Sequence, residues 1–373
     1  MSVKVTWRQA LAWRMRRQLL DPIADLPAEA VVRRLCGVQA QVMSSAALAI
    51  RTRQATPRTG EIESALADGR LIRTWAMRGT LHLLTPEDAG AFLSLLAAGR
   101  SWERPSWQRA FGLTPKELAD LRIAVREALD GRVLTREELV AAVVARPGLA
   151  HTGASLASGW GSVLKPLAFQ GDLCFGPSRG SRVTFMRPQA ASARWAGVPA
   201  ADEAAPVAIL AYLRSHGPAS ADGFSSWLSR GRVAKRDLRR WFAAVDDRLA
   251  EVDVEGERSL VAAEDLDELA TTRPTDVVRL VAGFDQWVLG PGTDDPRVVP
   301  PDRRAAVSRQ SGWIAPTVIA GGVVAGTWGL DGDTVRVAWF REAGGPPTDA
   351  LDAEASRLSS ILGRRLGLTI GLD

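Results

Sequence analysis

The stretch Leu35-Cys36-Gly37-Val38-Gln39-Ala40-Gln41-Val42-Met43-Ser44-Ser45 places two glutamines, two residues apart, among apolar and small side chains. In an extended segment residues i and i+2 face the same way, so both carboxamides would point into one space. Each offers a carbonyl acceptor and two N–H donors but no charge, which suits orienting a water molecule or steadying a developing cation. A buried amide must find partners, so the simpler alternative is that both satisfy backbone groups of their own loop. Other catalytic signatures are missing: there is no glycine-rich phosphate loop with lysine and no Gly-x-Ser-x-Gly elbow. Cys36, Cys174, His82, His151 and His216 are scattered without ligand spacing, so no disulfide framework, metal or other cofactor is expected.

The elements that would hold such a motif follow a loosely repeated order of helices followed by two short strands around a basic or glycine-containing turn, which is the winged-helix plan. In the first copy, helices are expected near 6–19, 27–36, 45–53 and 59–68, with strands 71–77 and 80–84 meeting in a tight hairpin at Arg78-Gly79. The second copy has a helix over 115–129 capped by Thr114, a capping-type start at Thr135-Arg136-Glu137-Glu138, and a third helix over 156–169. Its strands flank Pro177 to Ser181, putting Arg179 and Arg182 at a wing tip. In the third copy helices at 207–215, 220–228 and 235–245 precede strands 249–254 and 259–262. The Ala- and Pro-rich run 187–206 reads as a linker. Beyond about residue 275 come a Pro/Gly/Asp-rich loop, a hairpin on Gly321-Gly322, a strand at 335–340 and a helix over 349–366. The expected fold is mainly α with small β-wings: three tandem winged helices (1–110, 111–190, 200–270) and a C-terminal α+β region (275–373).

Charge narrows the partner. Residues 1–200 hold 27 Lys and Arg against 16 Asp and Glu, whereas residues 201–373 hold 20 against 26, and only Lys4, Lys116, Lys165 and Lys235 are lysines. A basic half rich in arginine suits a polyanion, although a GC-rich genome also raises arginine usage. Lys235, Arg236, Arg239 and Arg240 suit a recognition helix, yet they lie in the acidic half, where such a helix can pack on a neighbour instead. The lack of a long apolar run and the early charges Arg14, Arg16 and Arg17 lead us to expect a cytoplasmic, nucleoid-associated monomer with no membrane span.

Gln39-Ala40-Gln41, the block Arg73-Thr74-Trp75-Ala76-Met77-Arg78-Gly79-Thr80-Leu81-His82-Leu83 and Phe284-Asp285-Gln286-Trp287-Val288-Leu289-Gly290 together resemble the bacterial winged-helix DNA glycosylases of the AlkZ type, over nearly the whole chain. The resemblance implies removal of alkylated purines from duplex DNA, and in some members the unhooking of interstrand crosslinks. The family motif is Gln, an apolar residue and Gln, with Asp last in the YcaQ-like branch, so Gln41 places the chain nearer the branch associated with self-resistance. Ala40 is smaller than the usual aliphatic residue. The catalytic pair carried over is Gln39 and Gln41, and the DNA-binding set is Arg78, Thr80, His82, Arg179, Arg182 and Asp285.

The implied chemistry is coherent. An N7- or N3-alkylated purine is cationic and already a good leaving group, so a neutral amide that places water beside the sugar suffices. Bulky adducts and crosslinks do not swing readily into a snug pocket, so an open cleft beside the duplex is expected in place of base flipping. Two rivals remain at this stage: a non-catalytic winged-helix transcriptional regulator, and an accessory protein that binds crosslinked duplex without cutting.

Overall fold

Thr6 opens the first helix, Trp7–Arg17: its hydroxyl accepts from the Gln9 N–H at 3.2 Å, while Gln9 Oε1 accepts from the Thr6 N–H at 3.0 Å. This reciprocal pairing satisfies two of the donors that a helix start leaves open. Thr114 with Glu117 starts Pro115–Ala128 in the same way, and Thr135 with Glu138 starts Arg136–Val144. The structure, a computed structural model, describes residues 3–373 and is mainly helical with small sheets. No helix among the described residues is long and apolar enough to cross a membrane.

The chain divides into two compact units, each assembled from separate segments. The first takes the chain up to Thr59, Ile209–Trp227 and Val245–Asp373; the second takes Gly60–Ala208 and Leu228–Ala244. The boundaries 1–110, 111–190, 200–270 and 275–373 therefore order motifs along the sequence, and the compact bodies draw on several of them.

In the first unit, Val3–Val5 runs parallel to Val252–Val254, which pairs antiparallel with Glu257–Ala262. Trp13 and Ala10 of the first helix close over that sheet with Val5, Val254 and Leu269. A second sheet of five strands runs in the order Val278–Val281, Thr317–Ala320, Val323–Asp331, Thr334–Trp339, Gly367–Leu372. Leu351, Ala355 and Leu358 of helix Thr348–Leu362 pack on one of its faces. On the other, Ile319 and Val324 meet Leu11, Met15 and Trp287. The Gly321-Gly322 turn is thereby an interior sheet corner: a Cβ on Gly322 would lie 2.7 Å from that of Leu11, and Trp287 Nε1 donates to the Gly322 carbonyl at 3.1 Å.

In the second unit, strand Leu81–Leu84 pairs with Ile72–Trp75, which joins Cys174–Phe175, then Thr184–Met186, then Leu134–Thr135. The strands on either side of Arg78 and those on either side of Arg179 thus share one sheet, through Arg73 opposite Phe175, over a cluster of Trp75, Phe175 and Phe185 rings.

Three local expectations are corrected here. The helix over 156–169 is two helices, Gly153–Ala157 and Leu164–Phe169, because Gly161 turns with φ +62° against the Trp75 ring, where a Cβ would lie 2.3 Å from Cζ2. The stretch 187–206 is no flexible linker: Ser192 Oγ donates to Gly69 O at 2.6 Å, Ser94 Oγ donates to Pro199 O at 2.7 Å, and a Cβ on Gly90 would lie 2.0 Å from the Gly197 carbonyl oxygen. Its last residues already belong to helix Ala201–His216. The turn after Trp75 is wider than a two-residue hairpin, with Ala76 and Thr80 hydrogen-bonded across Met77, Arg78 and Gly79.

Candidate active site

Helix Ala28–Arg34 ends in two left-handed residues, Cys36 at φ +56° and Gly37 at φ +100°, and the Gly37 N–H returns to the Val32 carbonyl at 2.9 Å. That reversal sends the chain into the short strand Val38–Gln39. Gln39 is 6% exposed and Ala40 fully buried, whereas Gln41 is exposed at the bend that leads to helix Met43–Arg51. The extended backbone stops at Gln39, so the pair is one enclosed and one open carboxamide, presented from a single strand-to-helix turn. Enclosure fixes the first amide, and exposure leaves the second beside solvent.

The helix that follows is anchored at its far end. The Arg53 guanidinium is fully buried; it donates from Nε to Gln18 O at 2.9 Å and from Nη1 to Ala49 O at 2.8 Å. Its Nη1 and Nη2 also reach the two Asp285 oxygens at 2.8 and 2.7 Å. Asp285 Oδ1 in turn accepts from the Trp287 N–H at 2.8 Å, capping Gln286–Leu289. Thr52 O accepts from Arg357 Nη1 at 2.8 Å, a second tie at the same end. A forked, two-point pair is the geometry in which a buried arginine and a buried carboxylate both remain satisfied.

Asp285, expected as a DNA contact, is therefore an interior residue whose two oxygens are already committed to Arg53. Arg53 itself was missed. A buried acid needs a cation, but one sequence does not say which of 47 basic residues supplies it.

His82 is corrected likewise: it is fully buried, with Nδ1 3.0 Å from Thr80 O. Burial first, and the nearby Arg78 charge second, push its imidazole down to about 3. It is neutral in the fold, with the proton on Nδ1 facing the carbonyl, and has no surface to offer a phosphate. In the unfolded chain histidine titrates near 6.5, so below that pH the unfolded state takes up a proton that the folded state refuses. Stability contributed by the neutral ring is complete above pH 6.5 and is lost as pH falls toward 3. Denaturant titrations are expected to show about 1 kcal/mol more loss of stability between pH 6.5 and 5.5 in the wild type than in His82→Leu. Parallel profiles would show that the ring protonates freely inside the fold.

The remaining sites lie on turns of the second unit. Arg78 is half-buried at φ +58°, and burial with the Arg230 charge pushes its guanidinium down to about 10. Thr80 Oγ1 donates to Met77 O at 3.1 Å, tying that turn. Arg179 and Arg182 are exposed and bridge each other through their backbones, and Arg179 reaches Val133 O at 2.6 Å and Glu138 at 3.0 Å. On helix Lys235–Ala243, Leu238, Trp241 and Phe242 face inward, while Lys235, Arg236, Arg239 and Arg240 are exposed.

An enclosed and an open glutamine thus lie on the turn that leads into a helix anchored at its far end. The chain belongs to the family described as DNA glycosylase AlkZ-like, which it matches over residues 32–361, and it is a DNA glycosylase, a hydrolase. It is 48% identical over 362 residues to a protein of Streptomyces sahachiroi described as an interstrand DNA cross-link repair glycosylase, with 97% of this chain and 98% of that one covered. The solved structure of Streptomyces sahachiroi DNA glycosylase AlkZ matches with a TM-score of 0.96 at 47% identity, covering 99% of this chain and 100% of that chain.

Proposed function

We propose that the protein hydrolyses the N-glycosidic bond of cationic N7- or N3-alkylated purines in duplex DNA, interstrand crosslinks included, with Gln39 and Gln41 placing the water. The observation that carries the reading is the pair of uncharged carboxamides on one anchored turn, in a chain so similar to a crosslink-repair glycosylase. An amide oxygen is too weak a base to drive loss of an unmodified purine, but it can align water and stabilise an oxocarbenium-like sugar once the base is a cationic leaving group. Water is the nucleophile, so the enzyme is monofunctional and leaves an abasic site. The helix and strand segments read as tandem winged helices whose basic turns, Arg78 with Thr80 and Arg179 with Arg182, meet the phosphate backbone. The regulator reading loses its footing because the family is one of glycosylases.

The test uses three duplexes carrying one N7-methylguanine, one bulky N7 adduct or one N7-to-N7 crosslink. Strand breaks at the modified guanine after hot alkali, and separation of the crosslinked strands before it, are the expected results. Protein that binds all three but yields no alkali-labile site on any would leave DNA binding without catalysis.

A further inference from the structure

Eight of the thirteen tryptophans are buried, as their large apolar area favours. Trp160, in the second unit, is the opposite case: it is 82% exposed, and the next most exposed large apolar residue described, Leu372, is 56% exposed. The exposure is not that of a loose loop. Trp160 is the third residue of the tight turn Ser158-Gly159-Trp160-Gly161, closed by the Gly161 N–H donating to Ser158 O at 3.1 Å. Arg136 Nη1 donates to Leu156 O at 3.2 Å and to Ser158 O at 3.0 Å, and Gly161 lies hard against the Trp75 ring. The turn is pinned on both sides while the indole between them faces water. Gly159 and Gly161 carry no side chain beside it, so the ring is a narrow projection that a bulky partner can reach.

Charge selects the partner. Residues 139–171 contain no Asp or Glu. The Lys165 N–H donates to Gly161 O at 2.9 Å, and its side chain lies over the Arg78-Gly79 turn, with Cδ 3.8 Å from where a Gly79 Cβ would stand. An open π-face on an acid-free run, beside a lysine, matches a nucleobase carried on a phosphate backbone. We propose that Trp160 stacks on a nucleobase of the bound DNA at a place where the base stack is already broken. The contact rests on duplex DNA being the substrate. Prying apart an intact base step costs about as much as one stacked ring returns, so insertion there gains little. An abasic site leaves a neighbouring base face open without that cost, and it is what glycosidic hydrolysis leaves behind. Trp160 thus makes the protein hold its product more tightly than undamaged duplex.

Two duplexes of one sequence and length, one intact and one with a central tetrahydrofuran abasic analogue, test the contact. Affinities of wild type, Trp160→Ala and Trp160→Phe are measured from about 50 to 200 mM salt, with unfolding midpoints and sedimentation recorded alongside. Trp160→Ala is expected to lose about ten-fold on the abasic duplex and less than about two-fold on the intact one. Trp160→Phe keeps a ring and should recover most of that loss. The slope of log affinity against log salt should be the same for all three proteins, because the indole carries no charge. Equal losses on the two duplexes, no loss on either, or a phenylalanine variant no better than alanine would each overturn the stacking contact. A wild-type dimer that Trp160→Ala dissolves would assign the indole to a second copy of the chain, and the proposal falls. A wild type that binds neither duplex would instead defeat the DNA reading itself, which keeps the two failures apart.

Discussion

Gln39→Ala and Gln41→Ala are each expected to slow release of N7-alkylguanine from duplex DNA by about ten-fold or more, the scale at which positioning of a reactant is lost. Affinity for undamaged duplex should hardly change, because neither amide is charged and phosphate contacts supply most of the binding. The two variants should differ in one respect that follows from their burial. Gln39 is enclosed, so its truncation also lowers the unfolding midpoint, whereas the exposed Gln41 is cut without that effect. Gln41→Asp, which supplies a base in place of an amide, should keep part of the activity while shifting preference among lesions. Single-turnover excision with matched binding and melting curves makes the comparison. Full activity in both alanine variants would take the chemistry away from this turn.

Asp285→Ala is expected to cost about 3–5 kcal/mol of stability, because it strands a fully buried guanidinium that had two carboxylate contacts. Removing both partners, as in Arg53→Met with Asp285→Ala, should recover much of that loss, since no uncompensated charge is then left inside. Urea denaturation of the two singles and the double gives the coupling directly. The expected order is wild type, then double variant, then Asp285→Ala. A cost below about 1 kcal/mol for the single variant would mean that Arg53 reaches water or another acid when freed. Excision should fall in Asp285→Ala even at temperatures where it remains folded, because Arg53 holds the far end of the helix that begins after Gln41.

Local signals were legible where the chemistry is local. Thr114 and Thr135 announced their helices because a capping box is complete within four residues, and Gly321-Gly322 announced a turn because both residues take positive φ. The two glutamines stood out for the same reason, as polar side chains in an apolar run. What stayed hidden depends on distant partners. The break near Gly161 is set by a ring 86 positions earlier, at Trp75, and no helix propensity encodes it. Helix 349–366 was drawn too long because Gly363, left-handed at φ +66°, ends it at Leu362. The closing strand Gly367–Leu372 follows Arg364-Arg365, begins with a glycine and has another at Gly371, so its alternation is weak. Arg78 and His82 in one recognisable block and Asp285 in another look alike in the sequence, as polar residues among apolar ones. Only packing separates the half-buried turn residue from the two interior ones.

The segments that make up each unit also set a timetable. Everything the second unit needs has been synthesised once Ala244 is made, so it can close while the chain is still growing. The first unit has no such option. Strand Val3–Val5 must wait for Val252–Val254, and the five-stranded sheet is not finished until Gly367–Leu372 pairs beside Thr334–Trp339. At about 5–20 residues per second, the first helix spends on the order of ten to fifty seconds with Leu11, Trp13 and Met15 lacking the partners that later bury them. The turn that carries Gln39 and Gln41 lies in this late-closing unit, which is complete only when its last strand is in place, and the apolar surface that waits longest for cover belongs to the N-terminal helix rather than to the middle of the chain.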